Sequence, residues 1–215
     1  MASDPVTYRG IVIASVPYKE KDSMLSVLTR DDGMVKICAK GTQKPGSRNS
    51  AASVPFAVLD IVCTVSHGFN YLKEVSVVES NSGILSSLDA MAVAGHISRV
   101  LNFSVFQSEL SAEAYELTAY ALYAMSAGFA SARAVFAAFN WRYLSIAGLT
   151  GPDDRTVLCS FSVRSVLDTY VTCDMKKLFV LKISPDLVDE LYDLTLSVLS
   201  ERFEYQFPDP CRFVM

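Results

Sequence analysis

A chain of 215 residues that is 51% hydrophobic and 20% charged has enough apolar material for one large domain or two small ones, and this excludes a disordered chain. Its net charge of −4 argues against a protein that coats nucleic acid indiscriminately, yet the charge is uneven: residues 1–80 hold nine Lys or Arg against eight Asp or Glu, and residues 81–215 hold ten against fifteen. The five cysteines, Cys38, Cys63, Cys159, Cys173 and Cys211, are odd in number and form no CxxC pair, which suits reduced thiols rather than a disulfide framework.

The opening MASDPVTYRG lacks a basic stretch followed by an apolar core, so no signal peptide is expected. Tyr8–Val16 is β-rich and stops at Pro17, which predicts a first strand. Ser23–Thr29 is a second apolar run, handed by the Asp31-Asp32-Gly33 turn to a third strand that starts at Met34. There Val35, Ile37 and Ala39 share one face while Lys36, Cys38 and Lys40 share the other, the pattern of a half-buried strand with a basic outer face. A Gly-, Pro- and Ser-rich loop carrying Lys44 and Arg48 follows, and no acidic residue occurs between Asp32 and Asp60. Pro55–Ser66 gives a fourth strand and Tyr71–Glu79 a fifth, joined across His67-Gly68-Phe69-Asn70. Five short strands in residues 1–80, with no convincing helix between them, predict a small closed or nearly closed antiparallel barrel.

After Ser82-Gly83 the apolar period becomes helical. Ile84, Leu85, Leu88, Met91 and Ala92 open a first helix that runs towards Val105. Leu110, Ala114, Leu117, Ala121 and Met125 stripe a second, with Ser111 near its start and Gly128 past its end. Val135, Phe136, Phe139, Tyr143 and Leu144 stripe a third, stopped by Gly148. Each has a face it cannot bury alone, so the three are expected to pack as a bundle. The uncharged run Leu117–Ala132 is too short to span a bilayer comfortably, and no membrane partner is expected. In residues 149–183 a loop at Gly151–Asp154 precedes VLCSFSV and LFVLKI, which read as short strands or core-filling segments. A last helix over about 185–203 starts at Ser184, with Pro185 at its first position and Asp186 at the positive end of its dipole. Leu187, Leu191, Leu194 and Val198 form its expected buried stripe.

Several of these residues fall in an order that resembles the bacterial RecO recombination mediators. Pro17-Tyr18 with Glu20 and Asp22, Leu28-Thr29, Gly33, then Lys40-Gly41, Lys44 and Ser47-Arg48 match the family's opening; PFAVLDIV and the Phe139, Arg142, Leu144, Gly148 helix match later parts. The resemblance covers roughly residues 8–148, with a weaker echo in the last helix. It implies an α+β fold, in which a five-stranded OB-type antiparallel β-barrel in residues 1–80 is followed by an α-helical domain in 81–215. The implied function is recombinational repair in the bacterial cytoplasm, at the nucleoid: binding single- and double-stranded DNA, annealing complementary strands, and helping to load RecA onto strands covered by single-stranded DNA-binding protein. The implied partners are RecR, the C-terminal tail of the single-stranded DNA-binding protein and, indirectly, RecA. Many family members also carry a four-cysteine zinc element between the third helix and the last. This chain has only Cys159 and Cys173 there, fewer than the four ligands of a structural zinc site, so no metal is expected and Val157, Leu158, Phe161, Phe179 and Leu181 are expected to hold the region by packing.

Candidate DNA contacts are Arg9, Lys36, Lys40, Lys44 and Arg48, because OB barrels bind strands across one face and the adjoining loops. Phe69 and Tyr71, beside a hairpin turn, are candidates for stacking on bases. Arg133, Trp141 and Arg142 are candidates for an arginine-rimmed groove that takes the acidic, aromatic partner tail. His67 and His96 have no partnered nucleophile or metal-ligand spacing, and the pattern GxxxxGK[ST] is absent, so neither an enzyme nor a cofactor is expected. The rival reading is an adaptor that binds proteins only.

Overall fold

A computed structural model describes residues 5–42, 47, 49–104, 111–151, 154 and 156–212. They form two compact units, one built from residues 1–82 with 101–115, the other from 83–100 with 116–215.

The first unit is a closed barrel of β1 (Pro5–Tyr18), β2 (Asp22–Thr29), β3 (Met34–Ala39), β4 (Val58–Ser66) and β5 (Phe69–Glu79), ordered β1-β2-β3-β5-β4. The expected all-antiparallel ladder needs one correction: β3 and β5 run parallel, pairing Ile37 with Asn70 and Cys38 with Tyr71. Strand direction cannot alternate all the way around a ring of five, so one neighbouring pair must run the same way. The core is the inward set expected from alternation, with Leu25, Val27, Ile37, Ala39, Leu59, Ile61, Cys63 and Leu72 buried together, and Ala52 reaching in from a 3-10 turn at Ser50–Ser53.

Two local features set the barrel's geometry. At Gly10 the first strand comes so close to the second that a Cβ would lie 2.3 Å from Val27 Cγ1, so only glycine fits. Beyond it the β1–β2 register shifts between Val12 and Ala14. The extra residue reverses which side chains face outward, from Thr7 and Arg9 to Val16 and Tyr18. Alternation within β1 therefore cannot be extended through Ile13. The β4–β5 hairpin turns on His67 and Gly68, with φ of 50° and 78°, the two left-handed positions of a type I′ turn; Phe69 and Asn70 thus belong to β5 rather than to the connection.

The helices are α1 (Leu88–Ser104), α2 (Ser111–Ser126), α3 (Ala132–Ile146), α4 (Phe161–Thr172), α5 (Met175–Leu178) and α6 (Pro185–Arg202). The expected stops hold. Gly128 and Gly148 are left-handed, and the Phe129 and Leu149 N–H groups reach back to the Ala124 and Leu144 carbonyls at 2.9 and 2.8 Å, closing each helix as a Schellman turn. Within the second unit α3 is the hub rather than one of three equal partners: it packs on α4 and α6 and is buried from Val135 to Leu144 except at Arg142. No described helix is long and apolar enough to cross a membrane.

Three expectations are corrected here. Among the described residues of 149–183 there is no strand: Ser160 caps a helix by accepting from the Val163 N–H at 3.3 Å, and Val163, Leu167 and Tyr170 bury its inner face. Val157 and Phe179 are buried as expected, but Leu158, ahead of the cap, and Phe161, on the solvent side of the first helical turn, are 90% and 89% exposed. In α6 the buried stripe is Val188, Leu191, Tyr192, Thr195, Val198 and Leu199, rotated by part of a turn from the expected one towards the aromatic side of α3, where Tyr192 meets Phe136 at 4.2 Å.

His96 on α1 shows what this core does to a titratable group. Its Nε2 pairs with Asn140 Oδ1 at 3.0 Å, its ring lies 4.5 Å from Phe136, and burial pushes its pKa from the ordinary 6.5 down to about 4. The hydrogen bond to Asn140 opposes that shift and the nearby Arg99 charge adds to it. Because the unfolded chain then binds the proton more readily, His96 supports folding fully above about pH 6.5, and the support is lost as pH falls towards 4. The loss is about 3 kcal/mol. Denaturant midpoints followed by the fluorescence of Trp141, the one tryptophan, are expected to fall steeply between pH 7 and 4 in the wild type and less in His96→Gln. Equal falls in both would show that His96 is not the cause.

Candidate nucleic-acid interface

One outer face of the barrel carries aromatic and cationic side chains next to one another. Strand register sets Val16, Met24, Cys38 and Tyr71 side by side across β1, β2, β3 and β5, with Tyr18 and Asp22 paired one step nearer the β1–β2 turn. Lys36 and Lys40 flank Cys38 on β3 and at its end, so the basic outer face expected for that strand is present, although Cys38 itself is covered and only 6% exposed.

At the loop end of this face lies a cleft of about 150 Å³ lined by Tyr18, Lys19, Asp22, Met24, Cys38, Lys40, Phe69 and Tyr71. Lys40 Nζ sits 4.9 Å above the Tyr71 ring and Lys19 Nζ 5.2 Å from the Tyr18 ring, contacts that hold each cation against an aromatic face while leaving it open to solvent. Phe69 is 58% exposed and Tyr18 41%. Asp22 is occupied internally, accepting from the Gly41 N–H at 2.8 Å, and this ties the start of the basic loop to β2. Flat rings accompanied by ammonium groups offer stacking for bases and charge for phosphates.

The candidate residues divide clearly. Lys40, Phe69 and Tyr71 come together in the cleft, and Lys36 stands on β3 four residues before Lys40, its Nζ donating to Ser26 Oγ. Lys44 and Arg48 lie outside the described residues. Arg9 stands apart, near the far end of β1. It is fixed to Asp60 on β4 by two hydrogen bonds of 2.7 and 2.8 Å, which hold the Asp60 carboxyl below its ordinary range, and it lines a second, separate cleft together with Asp31 and Asp32. This setting makes Arg9 a strand-to-strand clamp rather than an open phosphate contact.

The expected groove at Arg133, Trp141 and Arg142 is also corrected. Trp141 is 1% exposed and belongs to the core. Arg133 pairs with Asp189 at 2.8 Å and covers the Tyr192 ring at 4.2 Å, while Arg142 Nη1 donates to the Tyr170 carbonyl at 3.1 Å. A residue pattern that mixes aromatics and arginines on a helix describes internal bracing here. Among the described residues no cluster of His, Cys, Asp and Glu is arranged to hold a metal ion.

Sequence reasoning missed Tyr18, Lys19 and Met24. The signal was the alternation Val16, Tyr18 beyond Pro17, obscured because the bulge reverses the strand's faces.

Residues 1–81 match the family model described as recombination protein O N terminal. Among relatives, the chain is 32% identical over 119 residues to the DNA repair protein RecO of Exiguobacterium sibiricum, covering 55% of this chain and 48% of that protein. It is 26% identical over 183 residues to that of Bacillus pumilus, covering 82% and 71%, and 28% identical over 143 residues to that of Desulfosudis oleivorans, covering 65% and 55%. The matched stretch spans about half the length of the first of these relatives. Barrel topology, the ordered motifs around Lys40-Gly41 and these likenesses agree: residues 1–81 carry the RecO N-terminal domain, and the chain beyond it is similar to RecO proteins.

Proposed function

We propose that the chain is a recombinational-repair protein without catalytic activity, which binds DNA through the barrel face centred on Lys40, Phe69 and Tyr71. The observation that carries this reading is the convergence of three exposed or half-exposed rings and two lysines on one cleft at the β2–β3 face, beside the β1–β2 and β4–β5 turns. That is the part of an OB barrel from which oligonucleotides are held. Lys36 adds a further cation on β3, and Lys44 and Arg48 follow that strand in the sequence. Annealing of complementary strands follows from holding a strand by its backbone and part of its bases, with the remaining edges open to pair. Binding of duplex DNA, work with RecR, contact with the tail of the single-stranded DNA-binding protein and help in loading RecA rest on the family likeness; the tail is not assigned to Arg133, Trp141 and Arg142.

Fluorescence anisotropy of a labelled single-stranded oligonucleotide across a salt series tests the reading. Neutralising about four phosphates predicts a log–log slope of roughly −3. Changing Lys40, Lys44 and Arg48 together to Glu is expected to flatten the slope and abolish binding at moderate salt. Absence of binding by the unaltered chain at low salt would favour the protein-only adaptor instead.

A further inference from the structure

The last strand of the barrel outruns the neighbour that closes it. β5 pairs with β4 along its whole length, from Phe69 to Glu79, but with β3 only at Asn70 and Tyr71. From Lys73 to Glu79 the opposite edge of β5 therefore has no strand partner among the described residues. The side chains there are open as well: Val77 and Val78 are 50% and 48% exposed, and Lys73, Glu74 and Ser76 are exposed. An unpaired edge offers a row of backbone donors and acceptors to another extended segment. Register on β4 sets its two faces. Val75 and Val77 lie opposite the core residues Ile61 and Leu59 and share the inner face, whereas Glu74 and Ser76, opposite Val62 and Asp60, share the outer one. The β4–β5 ladder is regular from Glu74 to Val77, and its two irregularities, at Lys73 and Val78, fall outside that stretch.

We propose that this edge pairs antiparallel with the same edge of a second copy of the chain, about a two-fold axis at Ser76. Parity and charge select that occupant and that register. Directly opposed residues in a sheet point to the same face, so the axis must pass through a residue and not between two. An axis at Val75 sets Lys73 against Val77, and one at Val77 sets Val75 against Glu79, each an apolar group facing a charge. An axis at Ser76 sets Val75 against Val77 and Lys73 against Glu79, and the symmetry makes each pair twice. The edge is then complementary to itself in both polarity and charge, and cross-strand pairs of these kinds are the ones that stabilise a sheet. Glu79 is steadied near the strand end by accepting from the Asn81 N–H at 3.2 Å. A lysine on a free edge ordinarily discourages pairing with foreign strands, and here it also favours the one strand that brings an opposite charge to it.

Sedimentation velocity of the full chain over a concentration series, without DNA, tests this. The contact over residues 73–79 is short, so a reversible dimer with a dissociation constant of roughly micromolar or weaker is expected. Lys73→Glu alone and Glu79→Lys alone each oppose like charges twice across the axis, and each is expected to weaken the dimer by about tenfold. An equimolar mixture of the two variants restores both opposite-charge pairs and is expected to regain the affinity of the unaltered chain. Ser76→Cys sets a thiol against its own copy on the axis, and mild oxidation is expected to give a disulfide-linked dimer that the unaltered chain does not form under the same conditions. An unchanged thermal transition in each variant shows that the barrel is intact. A chain that stays monomeric at every concentration and a Ser76→Cys variant that does not cross-link overturn the proposal. So does a dimer that neither charge reversal weakens, or a mixture that fails to associate, since either result puts the contact on another surface.

Discussion

Replacing Phe69 and Tyr71 together with alanine is expected to lower affinity for a single-stranded oligonucleotide by roughly 100-fold. Base–aromatic stacking is worth about 1–3 kcal/mol per base, and two rings removed from the same cleft give about 3 kcal/mol after allowance for sharing one bound base between them. Phe69 is 58% exposed and Tyr71 half-buried, so the barrel has little to lose from the change, and an unaltered thermal transition is the control. The salt series separates this effect from that of charge. The double-alanine variant should bind more weakly at every salt concentration with the slope preserved, whereas Lys40→Glu should reduce the slope by about 0.7 for the one phosphate contact it loses. Full affinity in the double-alanine variant would remove stacking from the mechanism and leave a purely electrostatic grip. Loss of the slope as well would mean that Tyr71 acts mainly by positioning Lys40, whose Nζ rests 4.9 Å from its ring.

The second large effect concerns the helical unit. Gly83, at the start of the 3-10 turn Ser82–Ser86, donates its N–H to Ser126 Oγ at 3.1 Å, and a Cβ at this position would stand 2.0 Å from the Ser126 carbonyl oxygen. The obstacle is backbone at the end of α2 and not the tip of a flexible side chain, so it cannot swing aside. Gly83→Ala is expected to destabilise this unit by about 3 kcal/mol, at the upper end of what overpacking costs. Gly95→Ala is the matched control. An added Cβ there meets no atom within 4 Å, the site is exposed on α1, and replacing glycine within a helix is expected to stabilise by about 0.5–1 kcal/mol. Trp141 fluorescence in a denaturant series reads both, and equal midpoints for the two variants would show that the turn yields.

Much of this architecture could be read from spacing. Strand alternation found β2, β3 and β4, and the left-handed glycines at 128 and 148 ended α2 and α3 where the periodicity ended. What escaped was fixed by partners distant in sequence. Arg9 read as an open cation because Asp60, which neutralises it, is 51 residues away and joins it only when β1 meets β4. VLCSFSV read as a short strand or core-filling segment, yet its last three residues open the helix FSVRSVLDTYVT, in which Val163, Leu167 and Tyr170 fall at helical spacing and packing against α3 and α6 decides the outcome. For the candidate interface, the sequence singled out Lys40 and Tyr71 separately. Their juxtaposition required the parallel join of β3 to β5, which no local pattern announces.

That join also bears on how the barrel forms. The β1–β2, β2–β3 and β4–β5 pairs are hairpins that can zip from a turn, while Cys38 and Tyr71 are 33 residues apart, counted from their positions, and meet only after the loop and β4 between them are in place. Loop closure must be completed before that contact gives any return, which places the seam late in folding and early in unfolding. Amide exchange should accordingly be fastest for the strand hydrogen bonds between residues 37–38 and 70–71. A DNA strand laid from Lys40 to Tyr71 crosses this seam, so an occupied barrel should also be a slower one to open.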